Sequence, residues 1–507
     1  MPAMSRRAPH RHTAVLGLLV AVAVGCSSGS GVTTEQADPP AQDAADATAD
    51  PPEEQGSIHW EPLDDRLATA VLEVPVDYDD PDGPTFELFL VRRRANDPDE
   101  RIGSLLINPG GPGAGGAEFA AGADFVLDDE LLDRFDVIGW DPRGTGYSSP
   151  AIDCIDDYDA YYAGYDITPD DEAERQEIID LARDFAQQCV EKNEEIIQHV
   201  GTNNSARDID AIREALGEET ISYFGFSYGS ELGATWATMF PETVRAAVLD
   251  GAADPTVGLT EGGIQQAAGF ERTLATYLAT CSADPDCAFH NDGDAEGAFD
   301  ELMLELDEHP IPSEEGRPEI TRGVALQAVA MAMYDDSLWN QLSEALADAQ
   351  EGDGAGLLEL WDQYYNRRPD GTWSNFLEAF QVITCMDEAE RPTVEEDDAA
   401  VERYLEVAPR FAPNTTGSYF CTFFPPAEDP RIEITGAGAG PIVVIGTTGD
   451  PATPLSSTRV MADTLEDGRL IIVTADKHTG YGENDCVDDA VHRYLIDLVP
   501  PEDELQC

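Results

Sequence analysis

Short runs of apolar and β-branched residues recur along the chain at lengths typical of strands. Residues 68–76 and 86–93 alternate apolar with polar positions on either side of an Asp/Pro/Gly turn, which predicts an antiparallel hairpin. Six further runs are continuously apolar, as expected for parallel strands covered on both faces. These six predicted strands are residues 104–108, 135–140, 221–226, 244–250, 441–446 and 470–474.

Segments with a helical period of apolar residues lie between the later predicted strands. Residues 170–193 predict a long acidic helix, and residues 202–216 predict a second one with Ser205 or Asp208 as its N-cap. Residues 230–239 predict a third helix directly after the fifth strand. Strands and helices that alternate in this way are typical of an α/β fold, here with a mostly parallel, eight-stranded sheet.

A long stretch with helical patterns separates the sixth and seventh predicted strands. It is too long for a simple crossover, so we interpret residues 255–430 as an inserted helical cap. The cap divides the predicted core into residues 58–254 and 431–507. The helical patterns inside the cap are residues 260–279, 295–309, 323–333, 337–350, 355–365 and 393–407.

The charge of the 507-residue chain narrows the range of its partners. The formal net charge is -72, from 101 acidic and 29 basic residues. A surface of this sign repels phosphate backbones, which argues against a nucleic-acid partner. Adaptation to high salt and an acidic exported surface from a genome that avoids lysine codons both explain the excess, and composition does not separate them.

The N-terminus has the parts of a secretory signal peptide. Three arginines precede an apolar run over residues 14–24, which predicts a signal at residues 1–25. Small residues before Cys26 resemble the lipobox of bacterial lipoproteins and predict lipidation of Cys26; an ordinary signal with an incidental cysteine is the alternative. Residues 26–57 are polar, so we expect a disordered acidic tether. The protein would then be extracytoplasmic, either secreted or held at the outer face of the membrane only by its lipid.

Eight cysteines remain when Cys26 is set aside, and an even number in an exported protein implies disulfide bonds. No C-x2-C spacing is present, so no metal site is predicted. The sequence allows many pairings, and the working prediction joins sequence neighbours. The predicted pairs are 154–189, 281–287, 385–421 and 486–507.

The strongest chemical signal is Gly225-Phe226-Ser227-Tyr228-Gly229, which fits G-x-S-x-G between an apolar strand and a helix of small residues. This context is typical of a nucleophile elbow, where glycines permit a sharp turn and the serine stands at the start of the helix. The pattern alone also arises by chance, because Gly and Ser are common. Its context and the partners described next favour Ser227 as a nucleophile.

A serine nucleophile needs a histidine base and an acid, and the chain order expected in this context is Ser, acid, His. Only His478 and His492 follow the last predicted strand of the core. His492 lies within a helical pattern, so His478 is the predicted base. Asp450 lies in the loop after the preceding strand, where the acid is expected; a turn-forming Asp before Pro is the alternative.

Catalysis of acyl transfer also needs donors for an oxyanion. One is the backbone N–H of Tyr228, and the second is expected from the glycine-rich loop at residues 108–116. A phosphate-binding loop is the competing interpretation, but the spacing differs from G-x-x-x-x-G-K-[ST]. No dinucleotide fingerprint is present either, so no cofactor is predicted. Asp141 and Arg143 are expected to form a structural loop that supports the site.

Together these motifs resemble the prolyl iminopeptidase and tripeptidyl aminopeptidase branch of the α/β-hydrolases, over residues 58–507. The later motifs favour the tripeptidyl aminopeptidases secreted by actinobacteria. The motifs that carry the resemblance are GGPG (110–113), WDPRGTG (140–146), GFSYG (225–229), VLDG (248–251), ITCMD (383–387), GDPATP (449–454) and the terminal pair Cys486 and Cys507.

The resemblance implies an α/β-hydrolase fold and a serine exopeptidase that removes short peptides, such as tripeptides, from free N-termini. It assigns the nucleophile, acid and base to Ser227, Asp450 and His478, and the oxyanion donors to Gly111 and Tyr228, with Gly110 as a close rival. One departure is Lys477, because the family usually has Gly before the catalytic histidine. This changes the charge or shape of the cleft rim.

An aminopeptidase must bind a protonated amine, which requires carboxylates near the cleft. The candidates are Glu118, Asp250 and Asp387. Each has a structural alternative. Glu118 could be a charge at a helix start, Asp250 a loop acid bonded to backbone amides, and Asp387 a cap residue beside a disulfide.

Two other functions remain open on this scaffold. An esterase uses the same triad, so only the amine-binding carboxylates would separate it from a peptidase. A non-catalytic binding protein is the second alternative, and the complete Ser-Asp-His set argues against it. The oligomeric state is not encoded in these patterns.

Overall fold

The computed structural model describes residues 56–165, 167–169, 171–389, 391–415 and 418–507. The predicted signal peptide, Cys26 and all but the last two residues of the predicted tether lie outside the described residues. The last tether residue, Ser57, donates its N–H to the carbonyl of Ala215 at 2.7 Å, so the chain already contacts the core there.

One sheet of ten strands forms the centre of the molecule, in the order β1-β2-β3-β5-β4-β6-β7-β8-β9-β10. The pairs among β1, β2, β3 and β5 are antiparallel, and every later pair from β5 across to β10 is parallel. The strands are Glu61–Pro62 (β1), Leu67–Pro75 (β2), Thr85–Arg93 (β3), Gly103–Asn108 (β4), Phe135–Trp140 (β5), Ile221–Phe226 (β6), Val244–Asp250 (β7), Ile442–Thr447 (β8), Gly468–Val473 (β9) and Leu505–Gln506 (β10).

The predicted α/β class and its mostly parallel sheet are confirmed, and the predicted number of eight strands is corrected to ten. The eight predicted strands are all present as β2 to β9. The additional strands β1 and β10 have two residues each. A two-residue strand carries no periodicity, so the hydrophobic pattern does not reveal it.

Helices cover both faces of this sheet and fill the long segment between β7 and β8. They are Gly116–Ala121 (α1), Asp129–Arg134 (α2), Tyr158–Tyr162 (α3), Glu172–Lys192 (α4), Thr202–Leu216 (α5), Tyr228–Met239 (α6), Leu259–Ala283 (α7), Ala295–Glu308 (α8), Arg322–Met333 (α9), Trp339–Gln350 (α10), Ala355–Tyr364 (α11), Phe376–Asp387 (α12), Val394–Val407 (α13), Ala412–Thr415 (α14), Leu455–Thr464 (α15) and Asp485–Asp497 (α16).

Two details of the helix predictions were wrong. Helix α5 begins after Gly201 without a side-chain cap, while the predicted caps Ser205 and Asp208 lie buried inside the helix. Asp208 instead pairs with Arg143. Helix α12 was not predicted, because eight of its twelve residues are buried and it therefore lacks the polar face that marks a surface helix.

Three main hydrophobic clusters organise the described residues. One packs β2 to β9 against helices α5, α6 and α12, a second packs other residues of the sheet against α1, α2 and α16, and the third joins helices α7 to α11 with α13. Helix α12 lies within the segment 255–430 by sequence, yet its residues Ala379, Val382 and Ile383 belong to the first of these clusters. It is therefore the part of this segment that bears directly on the centre of the sheet.

The four predicted disulfide pairs are confirmed: Cys154–Cys189, Cys281–Cys287, Cys385–Cys421 and Cys486–Cys507. The third pair fastens the end of α12 to the segment that leads into β8. Among the residues described, none of the helices combines the length and the apolar character needed to cross a bilayer.

Candidate active site

Ser227 stands in a strained turn between β6 and α6. Its backbone has φ 55 and ψ -127, a conformation that non-glycine residues rarely adopt. The turn is tight because a Cβ on Gly229 would lie only 2.7 Å from the carbonyl oxygen of Asn108. The G-x-S-x-G motif therefore forms the elbow geometry that its spacing predicts, with the serine at the N-terminus of α6.

His478 and Asp450 meet at the ends of neighbouring strands. Asp450 follows β8 and His478 follows β9, and the Nδ1 of His478 lies 2.9 and 3.1 Å from the two carboxylate oxygens. Both side chains are buried. Burial by itself lowers the pKa of His478, but the charge of Asp450 and the hydrogen bond to it raise that pKa above its usual 6.5. The pair thus has the geometry of a base held by an acid.

Further hydrogen bonds hold the carboxylate of Asp450 in place. Its Oδ1 accepts the N–H groups of Ala452 and Thr453 at 2.9 and 2.8 Å. The hydroxyl of Thr453 donates to Oδ2 at 2.9 Å. The loop after β8 is therefore folded around this side chain, and sequence reasoning did not identify Thr453 as part of the site.

The other ring nitrogen of His478, Nε2, is buried and has no hydrogen-bond partner among the described residues. The end of β7 links this ring to the nucleophile. The N–H of Ser227 donates to the carbonyl of Asp250 at 2.8 Å, and a Cβ on the next residue, Gly251, would lie 3.2 Å from Cε1 of His478. Nε2 is thus the nitrogen available to take a proton in this part of the molecule.

The glycine-rich loop after β4 approaches the elbow closely. A Cβ on Gly110 would lie 2.9 Å from the Cβ of Ser227 and 3.0 Å from the N of Tyr228. The N–H of Gly110 already donates to Oδ1 of Asn108 at 2.9 Å, whereas no acceptor for the N–H of Gly111 is found in the described chain. The geometry therefore favours Gly111 over Gly110 as a donor toward a substrate oxygen.

Asp250 is fully buried beneath the histidine loop. Its carboxylate accepts the N–H of Gly480 at 2.9 Å and that of Tyr481 at 2.8 Å. Burial raises the pKa of Asp250 to about 6. With both oxygens bonded to backbone amides, this side chain fits its structural alternative and does not face an open cleft.

Asp387 lies at the end of α12 and holds the start of α5. Its two oxygens accept the N–H and the hydroxyl of Thr202, each at 2.6 Å, and that hydroxyl lies 2.5 Å from the phenol oxygen of Tyr228. Burial, and after it the charge of the nearby Glu231, raise the pKa of Asp387 to about 7. The chain Asp387–Thr202–Tyr228 thus ends at the residue that follows the nucleophile, and Thr202 had no sequence signal.

Glu118 and the loop after β5 occupy the rim. Glu118 is exposed and accepts only a long 3.3 Å hydrogen bond from the hydroxyl of Tyr147. Asp141 accepts the N–H groups of Ala117 and Tyr147, and Arg143 is a fully buried partner of Asp208, so both are structural as expected. Lys477 stands where the family usually has Gly, and its positive charge is compensated because its ammonium lies 2.8 Å from the carboxylate of Glu483.

A cavity of about 340 Å³ lies among helices α7, α9, α11, α12 and α13, and no residue of a described strand lines it. Ser227, Asp450 and His478 do not line it, but two of its lining residues border the site: the ring of Tyr334 meets that of His478 edge-on at 5.4 Å, and the N–H of Phe380 borders Gly113 of the glycine-rich loop. Its volume is at the lower end of ordinary ligand sites. A second cavity, of about 500 Å³ around Asp159 and Arg322, contains none of these side chains.

Comparison with known proteins places this fold in a family. The model of the α/β hydrolase fold family matches residues 103–485, which is most of the chain. This protein therefore belongs to the α/β-hydrolase fold family.

Individual relatives lie within the same family. The chain is 35% identical to the serine protease Hip1 of Mycobacterium tuberculosis over 465 residues, 86% of each chain. It is equally similar, 35% over 455 residues, to a protein of that organism named carboxylesterase B, again with 86% of each chain covered. It is 28% identical to the tripeptidyl aminopeptidase of Streptomyces coelicolor, over 87% of this chain and 84% of that one. The resemblance to serine peptidases that the motifs indicated is confirmed.

Proposed function

We propose that the protein is an extracytoplasmic serine exopeptidase that releases short peptides from free N-termini. The observations that carry the proposal are the His478–Asp450 pair with an unpartnered Nε2 and the strained elbow of Ser227. The relatives named serine protease and tripeptidyl aminopeptidase support a peptide substrate.

In the proposed reaction Nε2 of His478 takes the proton of the Ser227 hydroxyl as its oxygen attacks the scissile carbonyl. Asp450 keeps the proton of the imidazole on Nδ1 and stabilises the imidazolium that forms. The N–H groups of Gly111 and Tyr228 donate to the oxyanion. The imidazolium then protonates the departing amine, and water attacks the acyl-enzyme with His478 again as the base.

Exopeptidase action is favoured by the way helix α12 covers the glycine-rich loop. The ring of Phe376 contacts Gly111, because a Cβ there would lie 2.9 Å from that ring, and Phe380 borders Gly113. A polypeptide that runs through the site in both directions would meet this helix. A chain end entering the cavity would not.

An esterase is the second candidate, because a relative named carboxylesterase B is as similar as the one named serine protease. Both reactions use the same attack and the same oxyanion donors. They differ in whether the site recognises a free amine.

The test compares three substrates at low and high salt: a tripeptide anilide with a free amine, its N-acetyl twin and a short-chain ester. An exopeptidase cleaves the free-amine peptide much faster than the other two. Fast ester cleavage without turnover of either peptide would support the esterase instead. Ser227→Ala should abolish all turnover with the thermal unfolding temperature retained, which excludes a contaminating hydrolase.

The location is proposed from the N-terminal sequence, through lipidation of Cys26. Cell fractionation tests it: the native protein should be membrane-bound and Cys26→Ala should be released. Equal release of both proteins would remove the lipid anchor from the proposal.

A further inference from the structure

We propose that Asp397, at the start of helix α13, binds the free amino group of the substrate. The inference rests on the proposed exopeptidase function and adds the residue that recognises the N-terminus of the substrate. It also defines the substrate as a peptide with an unblocked N-terminus and apolar or aromatic side chains.

The cavity lined by Tyr334, whose ring packs against that of His478, is also lined by Asp397. Tyr334 and Phe380 line it on the catalytic side, and Asp397, Tyr404 and Tyr419 line it elsewhere. Asp397 is the only carboxylate among the described residues of the cavity wall, and this wall includes no Arg or Lys. One negative charge in an otherwise uncharged chamber gives a cationic group a single place to bind.

The contacts of Asp397 leave one oxygen for a ligand. Its Oδ2 accepts the hydroxyl of Thr422 at 2.7 Å. In the part of the chain that the structure describes, Oδ1 has no hydrogen-bond partner and no basic side chain forms an ion pair with Asp397. The side chain is therefore held at one oxygen and open at the other, as an amine anchor requires.

The electrostatic surroundings favour a cation at this point. Burial and then the charges of Asp398 and Glu396 raise the pKa of Asp397, while the hydrogen bond from Thr422 lowers it. The pKa of Tyr404 is raised to about 12, mainly by burial and next by the charge of Asp397. The two side chains therefore lie close together. An ammonium beside Asp397 would gain both the carboxylate and an aromatic face.

The carboxylates expected from sequence are less suited to this role. Asp250 and Asp387 have both oxygens occupied by protein hydrogen bonds, and Glu118 is exposed at the rim. None of the three lines the cavity. Most of the remaining wall is aromatic or aliphatic, with the side-chain amides of Gln266, Gln327 and Gln381 among these residues, and this favours apolar side chains between the amine and the scissile bond. The lining side chains of this kind include Phe270, Trp361, Tyr364, Leu377 and Phe411.

The experiment measures binding separately from catalysis. Ser227→Ala protein is titrated by calorimetry with the tripeptide Ala-Ala-Phe amide and with its N-acetyl twin. We expect the free-amine peptide to bind about tenfold or more tightly than the blocked one, as for a charge-assisted hydrogen bond. Adding Asp397→Asn should remove that difference, because the amide keeps the acceptor for Thr422 and loses only the charge.

Glu395→Gln is the matched control, since Glu395 is exposed on the same helix and carries the same charge. It should keep the preference for the free amine. The proposal is overturned if Asp397→Asn retains the preference with an unchanged unfolding temperature, or if Ser227→Ala protein binds both peptides equally or binds neither. Retention of the preference in Asp397→Asn rejects only the assignment of the residue and leaves the proposed function standing. The proposed function fails separately, when the wild-type enzyme cleaves no peptide amide or cleaves the blocked peptide as fast as the free one.

Discussion

Two regions of the molecule pair their polar groups in opposite ways. One is the surroundings of the triad, called the floor here (Asp250, Asp450, Thr453 and His478), and the other is the cavity of about 340 Å³ lined by Asp397, called the chamber. On the floor, Asp450 and Asp250 are fully buried and their oxygens are occupied by backbone amides, Thr453 and His478. In the chamber, one oxygen of Asp397 and the buried hydroxyl of Tyr162 have no partner among the described residues. Groups that must keep one geometry are paired before substrate arrives, whereas groups that recognise substrate stay unpaired until it binds.

The largest expected effect separates the two carboxylates of the floor. Asp450→Asn should lower kcat by about ten-thousandfold, because the amide no longer holds the reactive tautomer of His478. Asp250→Asn should lower kcat far less but should cost about 1–3 kcal/mol of unfolding free energy, because the N–H groups of Gly480 and Tyr481 lose a carboxylate acceptor. Steady-state kinetics and denaturant unfolding check the pair.

A larger loss of kcat for Asp250→Asn than for Asp450→Asn would show that our proposal places the acid of the triad at the end of the wrong strand. Equal losses in both would mean that the two carboxylates act as one unit on the histidine loop.

The pH profile should separate the floor from the chamber. Only neutral His478 accepts the serine proton, so kcat/KM should rise with pH through its pKa. That pKa lies above 6.5 because the charge of Asp450, the hydrogen bond to it and the charge of Asp250 together outweigh burial. In Asp450→Asn the charge of Asp450 is gone and the midpoint should move to lower pH. In Asp397→Asn it should stay in place when followed with an ester substrate that has no amine. A midpoint that moves with Asp397 instead would contradict the division between floor and chamber.

The disulfide bonds of the two regions should affect stability and leave the catalytic residues in place. Replacing Cys385 and Cys421 by Ser, which opens a separation of 36 residues beside α12, should cost about 4 kcal/mol of unfolding free energy on the loop-entropy relation. Replacing Cys281 and Cys287, separated by 6 residues in the helical segment, should cost about 2 kcal/mol. Denaturant unfolding measures both; equal losses would show that native contacts rather than chain entropy dominate.

Local patterns were sufficient for the floor. The turn at Ser227 is encoded by neighbouring glycines, and Asp450 and His478 lie directly after strands whose apolar runs are visible in the sequence. Neighbouring parallel strands end at one edge of a sheet, so motifs that follow them are brought together by topology alone. The four disulfide pairs were also predictable, because each joins two cysteines that follow one another in the sequence.

The chamber was not predictable in this way. Asp397 lies in a helix start with several acids, and nothing in its sequence separates it from Glu395 or Asp398. Helix α12 was missed because it is buried on most sides, and its contacts with Thr202 and the glycine-rich loop join residues far apart in the chain.

The α/β class, the strands after which the chemical residues lie, and the candidate nucleophile, base and acid were predictable from the amino-acid pattern. Which of the described carboxylates have all their oxygens hydrogen-bonded, and that Asp397 lines the cavity, became visible only in the folded molecule. The physical reason is that strand formation and tight turns depend on neighbours in sequence, while the exposure and pairing of a carboxylate depend on whatever the fold packs against it.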